Sequence, residues 1–276
     1  MEAESLWTPS DGEAVIQCRS ALDEGDLGLA LLALEAAAGA ECIAVMESLR
    51  SWSSRVRENL RGDLPSDHLA ALRTVLVDEE GITGEGESFY DPRNCQFVAV
   101  MERRRGMPIL LSSIWLIVAR MAGISAAGIG MPGHFIIRLG GEDGMLVDPF
   151  GGGRALTVDR CATIVSRLCD LEWKDDYLAE TNNEGIVARV VRNLQICFHR
   201  EKERLPLYRM ARFNALLLPD CPAAQLLHAQ VAEILDFQPL AVPIYRTLVA
   251  DSPESEEATI AAERIRALEF EGPEVH

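Results

Sequence analysis

His134 and Asp148 are the residues of this chain best placed to do chemistry. They lie fourteen residues apart, each at the edge of a predicted strand, with one short Gly-rich turn between those strands. A histidine and a carboxylate side by side on a small sheet make up two parts of a Cys-His-Asp apparatus. There the carboxylate orients the imidazole, and the imidazole takes a proton from the nucleophile. The third part is the difficulty. Cys95 is the nearest thiol in sequence. It begins the preceding helix, and about ten helical residues at 1.5 Å each put it roughly 15 Å away unless the chain folds back. Ser112 lies four residues beyond Pro108, on the same helix face and one turn further in. An adjacent histidine could activate it, but a serine in so apolar a helix usually bonds the carbonyl four residues back. Water is the remaining choice. In triads that act as a unit, losing the nucleophile costs about a millionfold in turnover, whereas a general base acting on water contributes only about 10² to 10⁴. Two readings of the pair therefore stand side by side: a dyad with an unconventional nucleophile, and a buried hydrogen-bonded pair that orders a sheet edge.

The elements that must position these residues read as α+β and predominantly helical. Residues 1–80 form a helical subdomain. Asp26 is suited to cap a helix over Leu27–Ala38, and Ile43, Met46, Leu49, Trp52 and Val56 recur at three-or-four spacing within Cys42–Leu60. The core, residues 81–180, opens with a Gly-rich break and an Asp-Pro turn. Asn94 is then the expected N-cap of a helix over Cys95–Arg104. Pro108 starts the next helix, where its missing N–H costs nothing. That helix, to Ala122, is apolar nearly all round and so has to be buried. Strands follow at Ala126–Met131, His134–Leu139 and Met145–Val147. Residues 181–276 return to helix. Pro219 and Pro253 stand 34 residues apart, each closing a helix. Ala241, Tyr245 and Pro253 fall where a tetratricopeptide repeat places a small residue, an aromatic and its final proline. An ordinary helical hairpin is the competing description.

Composition excludes several functions. The chain has 276 residues and a net charge of −17, a field that repels phosphate backbones, so nucleic acid is not an expected partner. Arg103, Arg104 and Arg105 form the one basic cluster, read as a solvated or ion-paired helix end. The seven cysteines are scattered, with no Cys-x-x-Cys pair, as in a reduced cytoplasmic protein. The acidic first residues lead into no apolar stretch, so no signal peptide is expected. The longest apolar run, Met107–Ala119, is too short to span a membrane. His68, His199 and His228 are isolated on helices, and His134 with Asp148 would offer a metal two ligands and no third. Neither a metal nor another cofactor is expected. Gly151-Gly152-Gly153-Arg154 lacks the spacing and lysine of a phosphate-binding loop and reads as a turn.

Four motifs in order carry a resemblance: Tyr90-Asp-Pro-Arg-Asn94, Glu102-Arg-Arg-Arg-Gly-Met-Pro108, Gly130-Met-Pro-Gly-His-Phe135 and Asp148-Pro-Phe-Gly-Gly-Gly-Arg154. Together they resemble the bacterial SirB-type proteins of the transglutaminase-like superfamily, from about residue 25 to the end and most densely over 89–156. The resemblance implies a transglutaminase/cysteine-protease-like core, a buried helix against a small antiparallel sheet, followed by tetratricopeptide-type helices. In catalytic members of the wider superfamily a Cys begins the buried helix shortly after a Gly, a His follows on the next strand and an Asp on the one after. By position His134 and Asp148 match, and the Cys position falls at or next to Pro108. A proline has neither a nucleophile nor an N–H to offer an oxyanion. The resemblance therefore implies a non-catalytic or degenerate member that binds a protein or peptide partner. The alternative is an amide hydrolase or acyl-transferase using His134 and Asp148 with Ser112, Cys95 or water. Oligomeric state is left open. Geometry separates the two: an open pocket with a hydroxyl or thiol within about 3–4 Å of the imidazole favours the enzyme, and an imidazole covered by Pro108 and aliphatic side chains favours the binding module.

Overall fold

The computed structural model describes residues 7–35, 40–86, 88–236 and 238–270. It gathers into two compact units, Gln17–Asn193 and a second that joins the residues up to Ile16 to those from Leu194 onward. From Gln17 on, the N-terminal helices therefore share a unit with the sheet. Among the described residues, no helix is long and apolar enough to cross a membrane.

The larger unit is organised by one helix. Helices α1 (Pro9–Asp23), α2 (Leu27–Leu34), α3 (Ala40–Asn59), α4 (Pro65–Arg73) and α5 (Phe97–Arg103) precede it, and α6 (Pro108–Met121) is the helix itself. Twelve residues of α6, from Pro108 to Ala119, are buried, as a helix without a polar face requires. Helices α2, α3 and α5 pack on it, and so does the sheet. Asp26 caps α2, its Oδ1 accepting from the Leu29 N–H at 2.9 Å. The expected continuation of α2 to Ala38 runs into residues 36–39, which lie outside the described residues; α2 itself ends at Leu34.

The cap expected of Asn94 is not made. Asp91 caps a short 3₁₀ turn over Pro92–Asn94. Asn94 is fully buried, its amide donates to the Ser88 carbonyl at 2.6 Å, and its oxygen accepts from Arg103 at 3.0 Å. Helix α5 starts later, and a distant side chain satisfies its first N–H groups: Glu35 accepts from Phe97 N and from Val98 N. Past α4 the backbone widens into a π-helical turn, Thr74–Glu79. It leads into β1 (Thr83–Gly84), which pairs in parallel with β2 (Arg105–Gly106).

Five strands form the main sheet: β3 (Ala126–Ile129), β4 (Ile136–Leu139), β5 (Met145–Asp148), β6 (Arg154–Leu156) and β7 (Glu180–Thr181). They are ordered β6-β5-β4-β3-β7, and every pairing is antiparallel. The three expected strands are the central ones. The Gly-rich turn ends in an edge strand, β6, instead of leaving the sheet. Helix α7 (Val158–Cys169) then buries Cys161 and Val165 against Ile129, Ile136 and Leu146.

The second unit continues from the end of α8 (Asn183–Arg200) through α9 (Arg204–Leu217), α10 (Pro222–Ile234), α11 (Gln238–Asp251) and α12 (Glu256–Phe270). From α9 onward successive helices pack on one another, and α12 also reaches α10. The fully buried Tyr245 donates its hydroxyl to Glu233 at 2.8 Å, and Arg264 binds the same carboxylate. Burial would raise the pKa of Glu233, but the Arg264 and Tyr245 hydrogen bonds outweigh it and hold that pKa below the usual carboxylate range. The Tyr245 phenol is pushed up, by burial first and then by Glu233.

His228 on α10 is 9% exposed, and its ring centre stands 5.5 Å from that of Tyr208. Its Nε2 has no hydrogen-bond partner among the described residues. Burial, followed by the charge of Arg212, pushes its pKa down from 6.5 to about 4. The unfolded chain therefore takes up a proton near pH 6.5 and the folded chain only near pH 4. His228 contributes no penalty above pH 6.5 and an increasing one as pH falls through that window. At about 1.4 kcal/mol per pH unit, the loss approaches about 3 kcal/mol. Urea unfolding from pH 7.5 to 4.5 should show this loss in the wild type and a flatter curve in His228→Phe. Parallel curves would mean that His228 is not buried in its neutral form.

Candidate functional site

The site is built where three pieces of chain meet over α6. The first is the turn that delivers His134. His134 N donates back to Met131 O at 3.3 Å, with Pro132 and Gly133 between them and Gly133 at φ 71°. Proline followed by a glycine of positive φ is the signature of a type II turn. It ends two residues before β4, so His134 stands just outside the strand.

The second piece is the end of β5, whose last residue is Asp148. Its carbonyl accepts from Gly153 N at 2.9 Å, which closes the turn into β6. Gly151 lies so close that a Cβ there would meet Asp148 Oδ2 at 2.7 Å, and one at Gly153 would meet the Trp115 ring at 2.4 Å. The two glycines let the backbone wrap tightly around the carboxylate and against α6. Antiparallel pairing of β4 with β5 then sets the two side chains face to face. His134 Nε2 lies 2.9 Å from Asp148 Oδ1, and the residues are only 7% and 9% exposed. The carboxylate takes Nε2 and leaves Nδ1 as the nitrogen that would serve a nucleophile. Among the described residues Asp148 is the imidazole's one hydrogen-bond partner.

The third piece covers the pair. The Phe150 ring meets the imidazole edge-on, with centroids 5.9 Å apart. Strand β1 lies on Phe150 so closely that a Cβ at Gly84 would come within 2.7 Å of its ring. Arg189, from α8, fastens the other side. Its Nη2 donates to Met131 O at 2.8 Å and His134 O at 2.9 Å, and the guanidinium lies 5.4 Å from the centre of the Phe135 ring. Burial, and then Arg192, hold the Arg189 pKa below the usual arginine range. Arg189 was not singled out from sequence. It lies 55 residues from His134, and an arginine in an amphipathic helix carries no local signal.

Each nucleophile candidate is accounted for. Ser112 is fully buried and donates its hydroxyl to Phe135 O at 3.0 Å, tying α6 to the chain just past His134. Its neighbour Ser113 makes the expected bond to the carbonyl four residues back, Ile109 O, at 2.8 Å. Cys95 lies much nearer than the reach of a ten-residue helix allows. The helix between them has only seven residues, and the chain reverses at Arg104 with φ 60°. Met107 N then donates to Asn94 O at 2.9 Å. Cys95 Sγ is thereby brought 2.9 Å from Met107 Sδ, both side chains buried, beside the residue that precedes Pro108. A second thiol lies near the pair. Cys161 is fully buried on α7, and its pKa is pushed up to about 11 by burial and then by the charge of Asp148. It is protonated at neutral pH and is a poor nucleophile. The arginine cluster is engaged as a helix end: Arg103 holds Asn94, and Arg104 pairs with Glu80 at 3.3 Å and lies 4.6 Å from the centre of a Trp52 ring. Among the described residues, no three His, Cys, Asp or Glu side chains gather in a way that could hold a metal ion.

Comparison with known proteins gives the chain a family. A family model described as the Transglutaminase-like superfamily matches residues 43–192, more than half of the chain, including His134, Asp148 and the residues packed around them. A UPF0162 protein of Xylella fastidiosa is 37% identical over 162 residues, 56% of this chain and 58% of the relative. A UPF0162 protein of Vibrio cholerae is 24% identical over 201 residues, 72% of this chain and 74% of the relative. The chain thus spans under two thirds of the length of the Xylella relative and about three quarters of the Vibrio one. F-box only protein 21 of Mus musculus is 32% identical over 114 residues, 38% of this chain but only 18% of the mouse protein. No solved structure matches the chain.

A buried hydrogen bond to a carboxylate is worth about 1.5–3 kcal/mol, and removing one partner leaves the other desolvated. His134→Ala should therefore lower unfolding stability by about 2 kcal/mol at pH 7 in urea titration, and Asp148→Asn by less, since the amide keeps an acceptor. Stabilities equal to wild type in both variants would show that the pair does not order the sheet edge.

Proposed function

This chain belongs to the transglutaminase-like superfamily, and we propose that it serves there as a non-catalytic binding module. In this reading the core is a rigid platform, and a protein or peptide partner is taken up by the helices that follow. One observation carries the reading: the residue at the nucleophile position is Pro108, and the hydroxyl and thiol nearest to it already have other bonds. Ser112 donates to Phe135 O, Cys95 approaches Met107 Sδ, and Phe150 lies across the imidazole. Without a nucleophile, the His134–Asp148 pair is left with structural work, fastening the turn after β3 to the end of β5.

The helical region is consistent with a tetratricopeptide-like arrangement of the SirB type. Helices α10 and α11 form a hairpin that ends before Pro253. Ala241 and Tyr245, at the small and aromatic positions of the pattern, are both fully buried. Stacked helical hairpins present extended surfaces to which protein segments bind. None of the seven cysteines is in a disulfide, in keeping with a reducing compartment and with the cytoplasm.

A second reading retains catalysis, as an amide hydrolase or acyl-transferase built on His134 and Asp148. The return of Cys95 to the start of α6 favours it, because it sets a thiol beside the residue that precedes Pro108. An alkyne-tagged chloroacetamide and a fluorophosphonate, applied to the folded wild type and to His134→Ala, distinguish the two. We expect no labelling of Cys95 or Ser112 that depends on His134. Labelling at either residue that falls at least tenfold in His134→Ala would overturn the non-catalytic reading.

A further inference from the structure

The helical unit contains a basic face in a strongly acidic protein. Helix α9 (Arg204–Leu217) carries Arg204, Arg209 and Arg212 and no acidic residue, although the whole chain has a net charge of −17. Arg209 and Arg212 are three residues apart, so they are neighbours on one helix face. The chain's own N-terminal segment is seated on that face. The Arg212 guanidinium lies 4.7 Å from the centre of the Trp7 ring, and Arg209 Nε lies 3.7 Å from Asp11 Oδ2.

The segment is shaped for this by its own local chemistry. Asp11 Oδ2 accepts from Thr8 N at 2.7 Å and from Thr8 Oγ1 at 2.8 Å, and Asp11 N donates back to Thr8 Oγ1 at 3.3 Å. This is a reciprocal cap at the start of α1, and it fixes the carboxylate relative to the indole. A hydrophobic residue just before such a cap ordinarily packs on the side chain four positions into the helix. Here that position is Gly12, where an added Cβ would lie 3.8 Å from Trp7 Nε1. With no side chain to pack on, the indole lies on Arg212 instead.

We propose that the Arg209–Arg212 face of α9 is a docking surface for a partner segment carrying an aromatic side chain and, four residues later, a carboxylate. In the absence of that partner, Trp7–Asp11 of the same chain holds the face as an intramolecular competitor. The proposal rests on the reading that the helical region takes up a protein or peptide, and it specifies that partner's chemistry. The recognition includes a cation–π contact and a partly exposed ion pair, which are individually weak. Tethering gives the internal segment an effective concentration in the millimolar range. A partner must exceed that advantage, so the face is masked but releasable.

The test uses full-length protein and a fluorescein-labelled peptide of residues 5–16. In Trp7→Ala/Asp11→Asn, the open chain, the internal segment loses the two side chains that hold the face, and fluorescence anisotropy should give a Kd at least tenfold lower than with wild type. The same peptide carrying Trp7→Ala should bind the open chain at least tenfold more weakly. Arg209→Gln/Arg212→Gln added to the open chain should abolish binding, and raised salt should weaken it. Circular dichroism verifies folding. Asp11→Asn alone, which keeps an acceptor for Thr8, serves as a second variant if the double change disturbs the helix start. Equal affinity for wild type and a folded open variant, or no binding to that folded variant, would overturn the proposal. Labelling that depends on His134 would sink the non-catalytic reading without altering this measurement, so the two can fail separately.

Discussion

A helix with no polar face has to be covered on every side, and α6 imposes that demand on everything around it. The sheet covers one side, and α2, α3 and α5 cover others. The site is a consequence of this coverage. Ser112 ties α6 to Phe135, Gly153 allows the β5–β6 turn to approach Trp115, and Met107 N fixes the start of α6 to Asn94. His134 and Asp148 meet because the sheet whose strands β4 and β5 bring them together is packed on that apolar cylinder. Burial of this kind is worth about 25 cal/mol per Å² of apolar surface removed from water, so the two side chains are positioned by a force that has nothing to do with their chemistry.

What could be read from the sequence was what local rules encode. Pro108 and the apolar run behind it announced α6. Pro132-Gly133 announced the turn before His134, and Asp26 the cap of α2. Elements that depend on distant partners were not legible. Asn94 is a good capping residue by type, but its side chain is drawn inward to Ser88 and Arg103, and Glu35 supplies the cap of α5 from 62 residues away. The two-residue ladder of β1 with β2 has no periodicity to detect. Arg189 is invisible for the same reason, since its role exists only once α8 lies beside the His134 turn. The distance assigned to Cys95 failed because a helix predicted at ten residues ended at seven and the chain doubled back through a left-handed Arg104. A reach computed from helical rise holds only while the helix lasts.

The same contrast bears on activity. A histidine bonded to an aspartate through Nε2 is the part of a catalytic apparatus that a fold can retain for structural reasons, because a buried pair orders backbone whether or not anything reacts nearby. A nucleophile has no such second employment. Superfamily membership therefore speaks for the core fold, and leaves the reaction to be decided by the residues at the site.

Those residues have a mechanical character as well as a chemical one. Cys95 and Met107 bring two polarisable sulfurs together beside Pro108, and methionine is the most pliant of apolar side chains, with three rotatable bonds and a preference for filling irregular space. Reacting groups have to be held to within about half an ångström by neighbours whose rotamers are locked. A thiol resting on a thioether makes a cushion in place of a vice, so the seam just before Pro108 is compliant and able to absorb local strain.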